Sequence, residues 1–334
     1  MNSSNFVLER RNIIMKLLVS LSYLYVAISA ASDQSLWMEF KGNYSKTYKS
    51  LREEKFRFNI FQEKLREIKS HNGKYKKREV SYFLRVNQFS DLTTEEFAKM
   101  LNRNLANKPN FQAIRSTKEI DDNLTVPESM NWVQKGAVLE VKDQGHCQSC
   151  WAFSTTGSIE SQNIIRHNKR LALSEQQLVD CSRENNGCKG GLMGDAFNYV
   201  QENGLASESA YPYTGVQREC KKAVSSVNIK GFTMIEGGED SLQKAVGTIG
   251  PISVAVEATL WQSYGGGVFD NPNCTGFNLN HGTLSVGYGI ANEKEYWLIK
   301  NSWGVSWGEE GYIRLVRNKY SQCGIDTYAT YPRM

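Results

Sequence analysis

The first 146 of the 334 residues contain no cysteine, and the whole chain holds four histidines. Any disulfide framework is therefore confined to the C-terminal part. A zinc site is disfavoured as well, because Cys147-x-x-Cys150 is followed by no second closely spaced Cys/His pair. No βαβ pattern surrounds it, which, with the other cysteines, argues against a disulfide oxidoreductase. Beyond the N-terminal region no stretch reaches about 18 unbroken apolar residues, so no later bilayer span is expected. Internal repeats are absent too, which excludes a solenoid.

What is present begins with an uneven charge. Residues 126–334 carry 18 Lys+Arg against 21 Asp+Glu (−3), and the first 125 carry the remaining 22 against 14 (+8), giving +5 overall. The N-terminal basic residues are interleaved with acids on a helical pattern. Two mutually complementary segments fit this better than a nucleic-acid arm, and no nucleic-acid partner is expected. Arg10, Arg11 and Lys16 precede a mostly apolar run, Leu17 to Ile28, which ends in Ser29, Ala30, Ala31 and Ser32. That order is a secretory signal over 1–31, too short for a stable membrane anchor. Met15-Lys16-Leu17-Leu18 also reads as a start, which would leave 1–14 as an upstream extension.

In an exported protein, seven cysteines imply three disulfides and one free thiol, and spacing alone does not choose the pairing. Asn43, Asn123 and Asn273 head glycosylation-type triplets.

Residues 34–105 are charged and helical in pattern. One helix is expected over Gln34–Tyr48, carrying Leu36, Trp37, Phe40 and Tyr44. A longer one runs from Leu51 to Asn72, with Arg57, Phe61, Lys64, Ile68 and Asn72 on one face and Glu53 placed to pair with Arg57. Val86, Phe89 and Leu92 lie in a less regular segment, and 103–125 reads as a linker. Beyond it, Ser149 is expected to cap a buried helix starting at Cys150. Ser174-Glu175-Gln176-Gln177 opens a second helix with a capping box, and a third runs from Met193 to Glu202 and stops at Gly204. Strands follow at 252–256, 283–288, 296–299 and 312–316. Helices first and strands later predict an α+β molecule with two facing halves and a cleft between them.

The chemistry concentrates in Gln144-Gly145-His146-Cys147-Gln148-Ser149-Cys150-Trp151. A thiol in the first turn of a helix is biased toward thiolate, and a neighbouring imidazole would bias it further and later protonate a leaving amine. Asn280-His281-Gly282 opens a strand 131 residues after Cys150, and Asn301-Ser302-Trp303 closes another at 151. Asn301 can hold the imidazole in one tautomer, Trp303 can shield that contact from water, and Gln144 can donate to an oxyanion beside the Cys150 N–H. His71, His146 and His167 read as exposed helix or loop residues.

These residues resemble the papain-like cysteine peptidases, specifically the cathepsin L-like branch, over nearly the whole chain after the signal. The resemblance implies a two-domain fold, a helical left domain and a β-barrel-like right domain, behind a helical inhibitory propeptide at 32–125, with the peptidase domain at 126–334. It implies Cys150 as nucleophile, His281 as acid/base, Asn301 as orienter and Gln144 in the oxyanion hole. It also implies the pairs Cys147–Cys188, Cys181–Cys220 and Cys274–Cys323, leaving Cys150 free. Glu53, Arg57, Phe61, Ile68 and Asn72 match the propeptide signature, with Lys64 for Asn. Asn87, Phe89 and Asp91 match its second motif, with Arg85 for Gly. Substrate would lie along Gly190 and Gly191, beside Trp303. Leu192, Met193, Ala255, Leu279, Gly282 and Tyr328 would form an apolar pocket for P2, the residue before the scissile one. Tyr328 at its floor favours Leu or Val over a large aromatic.

Two departures stand out. Gln148 replaces a glycine; were its φ positive, the strain would be about 1 kcal/mol, and its side chain is expected to crowd S1. Gly282 replaces an alanine and is expected to enlarge the cleft.

The resulting expectation is a cysteine endopeptidase acting through a thioester, a monomer made as a zymogen for the lysosome or the extracellular or digestive space. It would be inhibited by its own propeptide, activated by acid, and need no metal or organic cofactor. No insertion that would enforce exopeptidase trimming is recognisable. The rival is a non-catalytic homologue, disabled by Gln148, that only binds peptides.

Overall fold

The computed structural model describes residues 33–102, 105 and 125–334. The export signal, most of the 103–125 linker and the Asn123 triplet lie outside the described residues. Two compact units are distinguished, one ending at Arg66 and the other running from Glu67 to Met334.

The described part of the first unit holds α1 (33–43) and the start of α2 (Leu51–Lys76). Its core is aromatic. Trp37 stacks on Phe40 at 5.4 Å and Tyr48 at 5.6 Å, and Phe61 closes on Phe40 at 4.9 Å. Lys41 pairs with Glu54 across the two helices. The first helix stops short of the expected Tyr48, because the chain turns at Tyr44-Ser45, with Ser45 left-handed. Glu53 accepts the Lys49 N–H at 2.9 Å, which ties the start of α2.

In the second unit α2 ends and β1 (Tyr82–Leu84) follows. Asn72 stands in for a strand: its amide donates to Leu84 O at 2.9 Å and accepts Leu84 N–H at 2.8 Å. His71, expected to be exposed, is half-buried against Tyr82, its ring 4.5 Å from the tyrosine ring and its Nε2 2.9 Å from the Tyr82 carbonyl. A short helix the sequence reading omits, α3 (Thr94–Met100), starts on a full capping box between Thr93 and Glu96.

After β2 (Met130–Asn131) comes α4 (Cys150–His167), buried from Cys150 through Asn163. Such burial is tolerable because its hydroxyls find partners. Thr155 and Ser161 donate back to Trp151 and Gly157, while Ser154 and Ser158 donate to Thr283 and Pro251 of the other half. α5 (Glu175–Cys181) and α6 (Met193–Asn203) pack on it around Trp151, Leu178, Phe197 and Val200. Ser174 accepts Gln177 N–H as expected, but the Gln177 side-chain oxygen goes to Ala206 N–H, so only half of the predicted box forms. α6 ends at Gly204, which is left-handed in φ.

The other half is a sheet built from β3 (Gly231–Ile235), β4 (Ile252–Val256), β5 (Tyr264–Phe269), β6 (His281–Ala291), β7 (Lys294–Lys300), β8 (Tyr312–Val316) and β9 (Ala329–Arg333), flanked by α7 (Gly238–Thr248). The strand order is β1-β5-β8-β7-β6-β4-β9-β3, with β2 on β6. Trp261, Tyr264, Trp297, Ile299 and Trp307 fill its core. β1 adds an edge strand antiparallel to β5, pairing Tyr82 with Gly267. The approach is close: a Cβ on Gly267 would lie 2.5 Å from the Ser81 carbonyl oxygen. The segment 67–102, which the sequence divided from residue 126 onward, is thus part of the same compact unit.

Candidate active site

The three pairings form as expected, Cys147–Cys188, Cys181–Cys220 and Cys274–Cys323, with Cα separations of 4.6, 4.8 and 4.7 Å. Cys150 is the free cysteine among the described residues. It opens α4, yet Ser149 does not cap that helix. Its φ and ψ are −96° and 14°, and its hydroxyl lies 2.7 Å from the Tyr213 hydroxyl.

His281 begins β6 on the opposite wall. Its Nε2 lies 2.7 Å from Asn301 Oδ1, and the next residue, Gly282, donates its N–H to Cys150 Sγ at 3.3 Å. With Nε2–H on the amide oxygen, Nδ1 is the basic nitrogen. It is buried and has no hydrogen-bond partner among the described residues. Trp303 stacks on the imidazole at 4.6 Å, covering the His281–Asn301 contact. Gln144 is buried and fixed at both ends of its amide: Nε2 donates to Cys147 O at 2.9 Å, and Oε1 accepts the Ser302 hydroxyl at 2.7 Å.

Both reacting groups are fully buried, and this overrides the thiolate expected at a helix start. Burial pushes the Cys150 thiol up to about 11, against lowering hydrogen bonds from Gly282 N–H and the Asn102 amide. It pushes His281 down to about 4, against the Asn301 bond that favours protonation. Between those values the pair is a thiol beside a neutral imidazole, the unreactive combination.

The cover is residues 85–102. Asn102 crosses the cleft, donating its N–H to Asn280 O at 2.8 Å and its side-chain amide to Gly191 O at 2.7 Å. Gln88 donates to Trp303 O at 2.6 Å, and Asn87 donates to Gln262 O at 2.7 Å. Phe89 and Phe97 set their edges on Trp303 at 5.5 and 5.4 Å. Arg85, which stands where the motif has glycine, donates to Gly265 O at 3.1 Å and lies over Phe83.

Of the residues expected to line a P2 pocket, Met193, Ala255, Leu279 and Tyr328 share one buried cluster, with Leu192 at its margin and Leu105 within it. The Tyr328 hydroxyl is anchored by Gly194 N–H at 2.9 Å. Gly190 turns left-handed beside Gly191. Gly282 does not enlarge the cleft as expected. A Cβ there would sit 3.2 Å from Met193 Sδ and 3.3 Å from the Cys150 backbone, so the methionine already fills that space. Gln148 has a negative φ, and the strain expected of it does not arise.

Sequence reasoning missed Asn102, α3 and Tyr213. Thr93-x-x-Glu96 was the available signal for α3; the other two carry none, since their partners are distant in sequence.

A buried thiol, an imidazole and a positioned amide in a cleft between a helical half and a sheet define a cysteine peptidase. Comparison with known proteins agrees. Residues 126–333 match the model of the papain family cysteine proteases, and 37–97 match the cathepsin propeptide inhibitor domain. The chain belongs to the papain family and carries its inhibitory propeptide. It is 51% identical to a cathepsin L-like proteinase of Phaedon cochleariae over 326 residues, covering 95% of this chain and 99% of that one. Among solved structures it resembles digestive procathepsin L2 of the Tenebrio molitor larval midgut, with TM-score 0.86 and 40% identity over 90% of this chain and all of that one. Procathepsin L 3 of the same midgut is similar, with TM-score 0.84 and 42% identity over 90% and 99%. The protein is a cathepsin L-like cysteine protease in zymogen form.

Proposed function

We propose that Cys150 attacks the scissile carbonyl of a polypeptide and that His281 manages the protons. The carrying observation is that His281, backed by Asn301 at 2.7 Å, adjoins the free thiol, whose sulfur accepts the neighbouring Gly282 N–H. Departure of residues 85–102 rehydrates the pair, and the thiol proton passes to Nδ1. Gln144 and the Cys150 N–H hold the oxyanion, His281 returns the proton to the leaving amine, and water drawn on by the same imidazole hydrolyses the thioester. No metal or organic cofactor enters the scheme. Titrating the acidified precursor with a thiol-directed epoxide tests it. Stoichiometric labelling of Cys150, and loss of proteolysis in Cys150→Ser, are expected; a Cys150→Ser protein that still cleaves peptides ends the proposal.

The finer reading extends this. P2 is an aliphatic residue, a preference supported by Leu105 of the covering segment lying in the cluster of Met193, Ala255, Leu279 and Tyr328. Comparable turnover of P2 Phe and P2 Leu in matched peptides would contradict it. Maturation removes residues up to about Val126; the Pro127 carbonyl, which accepts the Tyr288 hydroxyl at 2.9 Å, anchors the new terminus. Acid is the trigger, since protonating carboxylates of the N-terminal segment weakens its ion pairing with the peptidase part. Equal processing at about pH 4.5 and about pH 7.5 would refute that trigger. The precursor enters the secretory pathway through residues 1–31 and works as a monomer in a lysosomal or digestive space, without a membrane anchor. Among the described residues no helix is long and apolar enough to cross a membrane. Exposed Asn43 and Asn273 are the glycan acceptors of this reading.

A further inference from the structure

Gln148 lies two residues before Cys150, and its main chain is fixed. Its N–H donates to Cys188 O at 3.2 Å, and its neighbour Cys147 is bridged to that same Cys188. The free variable is the side chain, and it is engaged: Nε2 donates to the Lys99 carbonyl at 2.7 Å. Lys99 is in the last turn of α3, where carbonyls lack in-helix donors. Leu101 N–H takes Ala98 O, while Asn102 N–H leaves for Asn280 O across the cleft. The next carbonyl, that of Lys99, therefore falls to Gln148. The carboxamide thus holds the chain where it changes from helix to the extended segment lying over Cys150.

We infer that Gln148 is a specificity-determining residue, which reads a carbonyl-type acceptor beside the nucleophile: the Lys99 carbonyl in the zymogen, and in the mature enzyme the side-chain carboxamide of a P1 Gln or Asn. The inference rests on the peptidase reading above. The chemistry follows from the functional group. A glycine at this position leaves an open wall that sorts P1 only by bulk. A carboxamide supplies both an N–H donor group and a carbonyl acceptor, and a P1 carboxamide can pair with both at once. When residues 99–102 leave, the Nε2–H loses its acceptor, and a P1 aliphatic side chain would cover that donor without a partner. The geometry selects for amide and against aliphatic side chains of equal length.

The experiment uses the full-length precursor and its Gln148→Gly variant, each acidified and titrated with a thiol-directed epoxide so that rates refer to active sites. Turnover is compared on two dipeptidyl amides with the same P2 Leu, one with P1 Gln and one with P1 norleucine. The wild type is expected to favour P1 Gln by about three- to ten-fold in kcat/KM, as one partly exposed neutral hydrogen bond allows. That ratio should fall to about one in Gln148→Gly. Processing of the Gln148→Gly precursor should be faster than wild type, because the Lys99 carbonyl loses its donor. A P1 ratio that is the same in wild type and Gln148→Gly overturns the inference while leaving the peptidase intact. Failure of the wild type to take up epoxide overturns the peptidase reading itself.

Discussion

Tyr213 joins two parts of the site that the catalytic motif keeps apart. Its hydroxyl donates to the Gln144 carbonyl at 2.8 Å and lies 2.7 Å from the Ser149 hydroxyl. Its ring stands edge-on to Phe153 at 4.9 Å, and burial raises its phenol to about 12, so it stays a donor across the working range. Tyr213→Phe frees the loop that aims the Gln144 amide. A loss in kcat of about ten-fold with KM little changed is expected, because the oxyanion exists only in the transition state. A proportional rise in KM would point to peptide binding instead. At this scale the sequence was informative where chemistry demands particular side chains. Cys150, His281, Asn301 and Gln144 were legible as a spaced set, whereas Tyr213 and Asn102 act through hydroxyl and amide groups that occur throughout any sequence. The same limit applied to Gln148, whose partner at Lys99 lies 49 residues away and could not be seen.

Helices α4, α5 and α6 were readable from periodicity and stop signals, such as Gly204 after α6, whereas α7 was missed. The strands β3, β5 and β9 were not. β5 reads Tyr264-Gly-Gly-Gly-Val-Phe269, a composition that suggests a turn, and it is a strand because β1 and β8 pair with it on either side. α3 was overlooked although its capping box was plain, since seven residues give too little periodicity. Asn72 is the element-scale device with a measurable value. Asn72→Ala would leave both the N–H and the C=O of Leu84 without their partner, a cost of about 1–3 kcal/mol. Native-state hydrogen exchange should show correspondingly weaker protection at Leu84. Unchanged protection would mean that β1 is held by its pairing with β5 alone.

Taken as a whole, the two halves of the enzyme meet over a buried charge cluster. Lys142 donates to Glu160 at 2.9 Å and to Glu175 at 2.6 Å, and its carbonyl accepts the Gly304 N–H from the sheet side at 3.1 Å. Burial pushes the Glu175 carboxyl up to about 7, against the lowering effect of Lys142. A carboxyl whose folded value lies above its unfolded value stabilises the fold fully below the unfolded value. That contribution is lost as pH rises through the folded one. The stability of Cys150→Ser precursor, chosen to prevent self-processing, should therefore decline between about pH 4.5 and about pH 7. Glu175→Gln should flatten that decline in melting temperature, and a parallel decline in both proteins would assign it elsewhere. The two-half architecture was legible in the sequence; this cluster was not, because a half-buried lysine and two buried glutamates read as ordinary surface charge.

Loss of the N-terminal segment strips β5 of the neighbour that pairs with it at Tyr264, Gly266 and Gly267. From then on the ripened molecule presents an open row of amides and carbonyls, the kind of border that invites foreign chains to zip on. Its contour is irregular: Gly266 and Gly267 carry φ of +156° and +91°, and the register slips between Phe83 and Leu84. A regular, straight strand cannot follow that contour, which blunts the border as a template for other chains.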